Sequence, residues 1–247
     1  MQARTTEIRV TDSVVRAYEV IPDGAGPHAG VLLCMDGLGV RDALRRMADR
    51  LGAAGYHVLL PSYFHRLGPD VHFDPKEVFS QPEKLAEMRK TIGAAVTTER
   101  AMSDTAAFLD HLAAQPDVDG ARLGVVGYCM GGRLAFLAAS TFPDRVRAAA
   151  SIHGGGLVTP APDSPHLVAS KVRARLYFGI AKEDSSCTPE QAATLDATLR
   201  EAGVRYAIEH YDARHGWAVD DTPVHDAGES ERHWQAVLGL FASELSG

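Results

Sequence analysis

The 247-residue chain holds three cysteines, and one of them, Cys129, stands where a thiol could act as a nucleophile. The run Leu123-Gly124-Val125-Val126-Gly127-Tyr128-Cys129-Met130-Gly131-Gly132 reads as an apolar strand and then G-x-C-x-G. An apolar helix through Leu134, Leu137 and Ala138 follows. Glycines two residues to either side leave room for a sharp strand-to-helix turn that lifts the central side chain above a sheet. A thiol so placed needs a base and a group to orient that base. Both types follow in order, each on a loop after a later strand. The strand ending at Ile180 leads into Ala181-Lys182-Glu183-Asp184-Ser185, and the one ending near Tyr211 into Asp212-Ala213-Arg214-His215-Gly216. His215 is the expected base and Asp184 the expected acid, with Glu183 as the neighbouring alternative.

The chemistry of such a set is nucleophilic. A free thiol ionises near ~8.5, and a neighbouring imidazole with the positive end of the following helix favours the thiolate. His215 would protonate the leaving group while Asp184 holds its tautomer. Backbone N–H groups must receive the oxyanion, one from Met130 and one from the turn after an early strand, Gly37 or Leu38. His153-Gly154-Gly155-Gly156 imitates an oxyanion motif but follows the nucleophile, so it reads as a flexible loop near the site. Cys34 reads as core and Cys187 as a loop thiol.

The elements that must position these residues alternate. Thr6 to Val10 and Val14 to Val20 form an opening hairpin around Thr11-Asp12-Ser13. Strands follow at Gly30 to Met35, Tyr56 to Leu60, Leu123 to Gly127, Ala148 to His153, Leu176 to Ile180 and Arg205 to Tyr211. Helical spacing covers Arg41 to Ala54, Glu83 to about Ala113, Gly131 to Thr141, Pro189 to Ala202 and Glu229 to Leu245. Continuous apolar strands alternating with helices predict an α/β fold, a mostly parallel doubly wound sheet with helices on both faces. No composition break divides residues 1–247, so one domain is expected. The loops Pro61 to Pro82 and Gly154 to Val172 are the irregular excursions, and the charges of Arg41 to Arg50 read as a solvated helix face.

Composition narrows the functional classes. Lys plus Arg number 25 against 32 Asp plus Glu, a net charge of −7 that disfavours binding to nucleic acid. An odd, sparse set of cysteines argues against a disulfide framework and fits a cytoplasmic protein. No apolar run approaches the ~20 residues of a membrane span, and the N-terminus lacks a secretory leader. The 11 histidines form neither HExxH nor a His/Cys cluster at zinc spacing, so no metal is expected.

These residues resemble the dienelactone hydrolase family, cysteine members of the α/β-hydrolase fold. The likeness runs from Asp36-Gly37-Leu38-Gly39-Val40 through Gly127-Tyr128-Cys129-Met130-Gly131-Gly132 to Arg214-His215-Gly216-Trp217. It implies an eight-stranded, mainly parallel sheet, no cofactor, and a Cys-His-Asp triad that opens dienelactone to maleylacetate. The family's glutamate beside the catalytic thiol corresponds to Asp36, one methylene shorter, which either serves as an auxiliary carboxylate near the thiol or organises the oxyanion turn. The family holds the substrate carboxylate with two arginines. Gly216-Trp217-Ala218-Val219 supplies none after the histidine, which leaves Arg89 and Arg133, with Trp217 as a pocket candidate. The expected activity is cysteine-dependent opening of a small lactone, or cleavage of an activated ester, through a thioester, by a monomer or small homo-oligomer. Alternatives are a broader carboxylesterase or thioesterase without a carboxylate requirement, a non-catalytic ligand-binding domain, and a redox-sensing thiol.

Overall fold

Eight strands form one sheet in the computed structural model, which describes all 247 residues. They are β1 (Gln2–Arg9), β2 (Val14–Ile21), β3 (His28–Cys34), β4 (His57–Pro61), β5 (Val118–Tyr128), β6 (Val146–Ile152), β7 (Arg175–Glu183) and β8 (Tyr206–Arg214). The order is β1-β2-β4-β3-β5-β6-β7-β8, antiparallel at the β1, β2 and β4 pairings and parallel from there on. This is the doubly wound, mostly parallel sheet expected from the alternation of apolar strands and helices.

The helices are α1 (Asp42–Ala53), α2 (Pro75–Ser80), α3 (Pro82–Ala95), α4 (Thr98–Ala113), α5 (Met130–Thr141), α6 (Pro189–Glu201) and α7 (Ala227–Glu244). In α1, Leu44, Met47, Ala48 and Leu51 are buried at helical spacing. Beyond a first histidine each, His28 and His57, the central strands β3 and β4 are apolar and buried because helices cover both faces of the sheet. Together they enclose a core of 63 buried residues in one cluster. No helix is long and apolar enough to cross a membrane.

The helical stretch expected from Glu83 to Ala113 is two helices. Thr97 ends the first run in extended geometry, and its hydroxyl accepts the Arg100 N–H to cap α4. The Pro61 to Pro82 excursion contains α2, started by Asp74, whose carboxylate accepts the Lys76 N–H, and by Pro75. The Gly154 to Val172 excursion holds a 3₁₀ segment, Pro165–Lys171. Around α2 and α3, Leu38, Val78 and Met88 form a small apolar cluster of their own, apart from the main core.

Candidate active site

Cys129 occupies the junction of β5 and α5 with φ 55° and ψ −114°, a left-handed conformation that a β-carbon resists. The flanking glycines make that turn possible. A β-carbon at Gly127 would overlap the Gly131 carbonyl, and one at Gly131 would overlap the Cys34 carbonyl at the end of β3. Such strain persists only where the surroundings enforce it, and it concentrates at functional sites.

The loops after β7 and β8 bring Asp184 and His215 to the same end of the sheet. His215 Nδ1 donates to Asp184 Oδ2 at 2.7 Å, and the other Asp184 oxygen accepts the Ser186 N–H at 2.7 Å. Burial alone would weaken His215 as a base, but the charge of Cys129 and the hydrogen bonds with Asp184 and Cys129 outweigh it and raise its pKa to about 10. Glu183, the alternative acid, is 72% exposed and pairs with Arg214 at 3.1 Å. The residue that meets the imidazole is Asp184.

The remaining thiols contrast with Cys129. Cys34 is fully buried, 3.6 Å from the Tyr63 hydroxyl, and burial pushes it up to about 12. Burial pushes Cys187 up to about 11. Neither ionises readily at neutral pH.

Cys129 and His215 open into a cavity of about 410 Å³. Leu38, Phe79, Leu85, Met88, Ile92 and Val219 give it apolar walls, and Arg89, Arg133, Ser185 and Ser186 give it polar ones. Arg133 lies one helical turn beyond Cys129, with Nη1 donating to the Gly156 carbonyl at 2.9 Å. Burial pulls its pKa below the usual value, and Asp163, 4.0 Å away, offsets this only in part. Arg89 is exposed at the cavity wall without an ion-pair partner.

Several expected roles need correction. Of the two roles open to Asp36, the geometry fits the organiser of the turn, since it makes no hydrogen bond to the thiol and Arg41 Nη1 and Nη2 donate to its two oxygens at 2.7 and 2.9 Å. The Leu38 N–H donates to Asp36 Oδ1 at 2.9 Å, so Leu38 has no hydrogen left for an oxyanion. The Gly37 N–H has no acceptor in the protein, and the Met130 N–H opens α5, where no intrahelical partner exists. Trp217 does not line the cavity. It is fully buried, stacked on Tyr211 at 4.7 Å, with its edge toward His153. The His153 to Gly156 segment is close to the site, as expected, but His153 is only 1% exposed and the segment is hydrogen bonded on both sides.

Arg41 is the residue that sequence reasoning misplaced. Assigned to a solvated face, it is 7% exposed and bridges Asp36 to Asp221, with Nε 2.6 Å from Asp221 Oδ2. Asp221 lies 180 positions away in the chain, and no local pattern announces it.

Comparison with known proteins places the fold in a family. Residues 15–245 match the model of the dienelactone hydrolase family. The chain belongs to that family. Membership makes it an enzyme, a hydrolase acting on ester bonds. It is 27% identical over 235 residues to the "putative carboxymethylenebutenolidase" of Synechocystis sp., covering 94% of this chain and 92% of that protein. It is 28% identical over 201 residues to the carboxymethylenebutenolidase of Pseudomonas sp. (strain P51), covering 81% and 77%. The crystal structure of a "putative dienelactone hydrolase" from Klebsiella pneumoniae superposes with a TM-score of 0.86 over 98% of both chains at 24% identity, a likeness of fold. In this dienelactone hydrolase family member, Cys129 stands at the β5–α5 elbow, and Arg89 and Arg133 line the cavity into which it opens.

Proposed function

We propose that this enzyme is a cysteine hydrolase that opens a small lactone, of which dienelactone is the model, or cleaves an activated ester. The observation that carries the reading is the shared cavity of the Cys129 thiol and a His215 imidazole anchored by Asp184. The thiolate attacks the acyl carbon, and the N–H groups of Met130 and Gly37 receive the developing oxyanion. His215 gives its proton to the departing alkoxide or enolate, which leaves Cys129 as a thioester. Water then attacks the thioester, His215 takes its proton, and the carboxylic acid departs as the thiolate is regenerated. Thiolates suit good leaving groups such as enolates and phenolates.

Arg133 and Arg89 support a substrate that carries a carboxylate, because a guanidinium matches that group in charge and geometry. The apolar wall of Leu38, Met88, Ile92 and Val219 favours a second reading, a broader carboxylesterase acting on neutral esters. Residues 1–247 serve either reaction as one domain.

Turnover of carboxylated lactones and neutral p-nitrophenyl esters by the wild type and Cys129→Ala, with intact-mass detection of an acyl adduct, tests both readings. The expected result is a Cys129-dependent adduct and turnover. Absence of turnover and adduct on every substrate overturns the hydrolytic assignment to Cys129. Loss of lactone but not neutral-ester turnover in Arg133→Met supports the carboxylate contact.

A further inference from the structure

The segment after β6 is bonded to Cys129 at both its backbone N–H and its carbonyl. The Cys129 N–H is shared between the Ile152 carbonyl at 3.0 Å and His153 Nδ1 at 3.1 Å. The Cys129 carbonyl accepts the Gly155 N–H at 3.3 Å. The same segment reaches the loop that carries the acid, because the Gly156 N–H donates to the Ser186 carbonyl at 3.1 Å. It is anchored underneath by the His153 N–H, which donates to the Gly179 carbonyl on β7 at 2.7 Å. The His153 ring packs edge-on to His215, with 5.0 Å between centroids, and lies at the same distance from Trp217.

Histidine is an unusual choice here, since His153 has φ 38° and is buried. A ring nitrogen that accepts from a backbone N–H must be unprotonated, so the hydrogen sits on Nε2, which has no partner. A buried polar hydrogen left unpaired and a left-handed backbone both cost free energy. Burial, followed by the charges of His215 and His233, holds His153 well below its usual basicity, which keeps Nδ1 an acceptor.

We infer that His153 is a positioning residue: its neutral imidazole fixes the strained Cys129 peptide and, through ring packing, sets His215 against the thiol. The inference rests on Cys129 and His215 acting as nucleophile and base. It assigns His153-Gly154-Gly155-Gly156 a clamping role between the nucleophile and acid loops, where no oxyanion role is required.

Two substitutions separate acceptor from shape. Asparagine places an oxygen near the position of Nδ1, whereas phenylalanine keeps a ring and removes the acceptor. His153→Asn is expected to stay within about threefold of wild-type kcat, and His153→Phe to lose about tenfold or more with KM within about twofold, as a displaced nucleophile would. The rate at which iodoacetamide alkylates Cys129, followed by intact mass, needs no substrate and is expected to fall in His153→Phe but not in His153→Asn. The buried Cys34 and Cys187 leave that signal to Cys129. Wild-type kcat and alkylation in His153→Phe, or equal impairment of the two variants, overturns the inference. If His153→Phe does not fold, Gly155→Ala takes its place. Its added methyl would stand 3.2 Å from Ser186 Cβ and press on the same clamp, so unchanged kcat and alkylation there overturns the inference too. Ester turnover retained by Cys129→Ala strikes the nucleophile assignment instead, while the alkylation comparison still reports on His153.

Discussion

His215 holds its proton because of its neighbours, and this sets the pH behaviour expected of the site. Its pKa rises from 6.5 to about 10, against the pull of burial, through Cys129 and Asp184. A group that binds its proton more tightly in the folded state stabilises the fold fully below the unfolded value of 6.5, and that contribution disappears as pH rises through about 10. In Cys129→Ala the largest of the contributions that raise it is gone, so the His215 midpoint measured by NMR should fall below about 10. The acid can be tested at the same scale. Asp184→Asn should lower kcat by about 10³-fold or more in a protein that still folds, because the imidazole loses its orienting acceptor. Glu183→Gln, altering an exposed carboxylate, should stay within about twofold. Steady-state kinetics on an activated ester distinguishes them. The order of cysteine, acid and histidine was legible in the sequence, since each follows an apolar strand. Asp184 is already the acid expected from the sequence, and the bend of one loop gives it, not Glu183, the hydrogen bond to His215.

Two devices hold the site at the level of elements, the β5–α5 elbow and the turn after β3. The elbow announces itself by spacing, because the tight turn onto Gly131 demands glycine at position 127 and the close approach of α5 to the end of β3 demands it at position 131. Gly127→Ala should abolish turnover and lower the denaturant midpoint, as its methyl would overlap the Gly131 carbonyl. The turn after β3 is held by the ion pair of Arg41 with Asp36, both nearly buried. Arg41→Ala leaves the Asp36 carboxylate buried without its partner and should cost about 3 kcal/mol in chemical denaturation. It should also lower kcat, since the Gly37 N–H rides on that turn. Sequence reading placed Arg41 among solvated charges because helical spacing says which face is polar, not what another loop brings against it. The break between α3 and α4 escaped for a related reason. Val96-Thr97 carries no glycine or proline, and the Thr97 cap is decided by backbone geometry.

Across the whole molecule, a second set of buried charges ties the antiparallel edge of the sheet to its centre. Glu19 on β2 is fully buried and accepts from His57 Nε2 at 3.0 Å, His111 Nε2 at 3.1 Å and Arg4 Nε at 2.6 Å. His57 Nδ1 meets Asp117 at 2.8 Å. Burial opposes both charges, yet the hydrogen bonds from His111, His57 and Arg4 hold Glu19 below its usual 4.5, and Glu19 with Asp117 raises His57 above 6.5. The Glu19 contribution to stability is complete above 4.5 and lost on acidification, and the His57 contribution is complete below 6.5 and lost as pH rises. The difference in Tm between wild type and Glu19→Gln should therefore be largest between those two pH values, as scanning calorimetry across pH would measure. By itself the sequence determined the α/β class, the strand order along the chain, the elbow and the three residue types that follow it, because periodicity and glycine spacing are local properties. Only the tertiary structure decided that Asp36 is taken by Arg41, that Leu38 has no free N–H, that Trp217 lies behind the cavity, and that His153 accepts from the Cys129 N–H. Each of those facts depends on groups far apart in the chain meeting at hydrogen-bond distance, and no one-dimensional pattern records such a meeting.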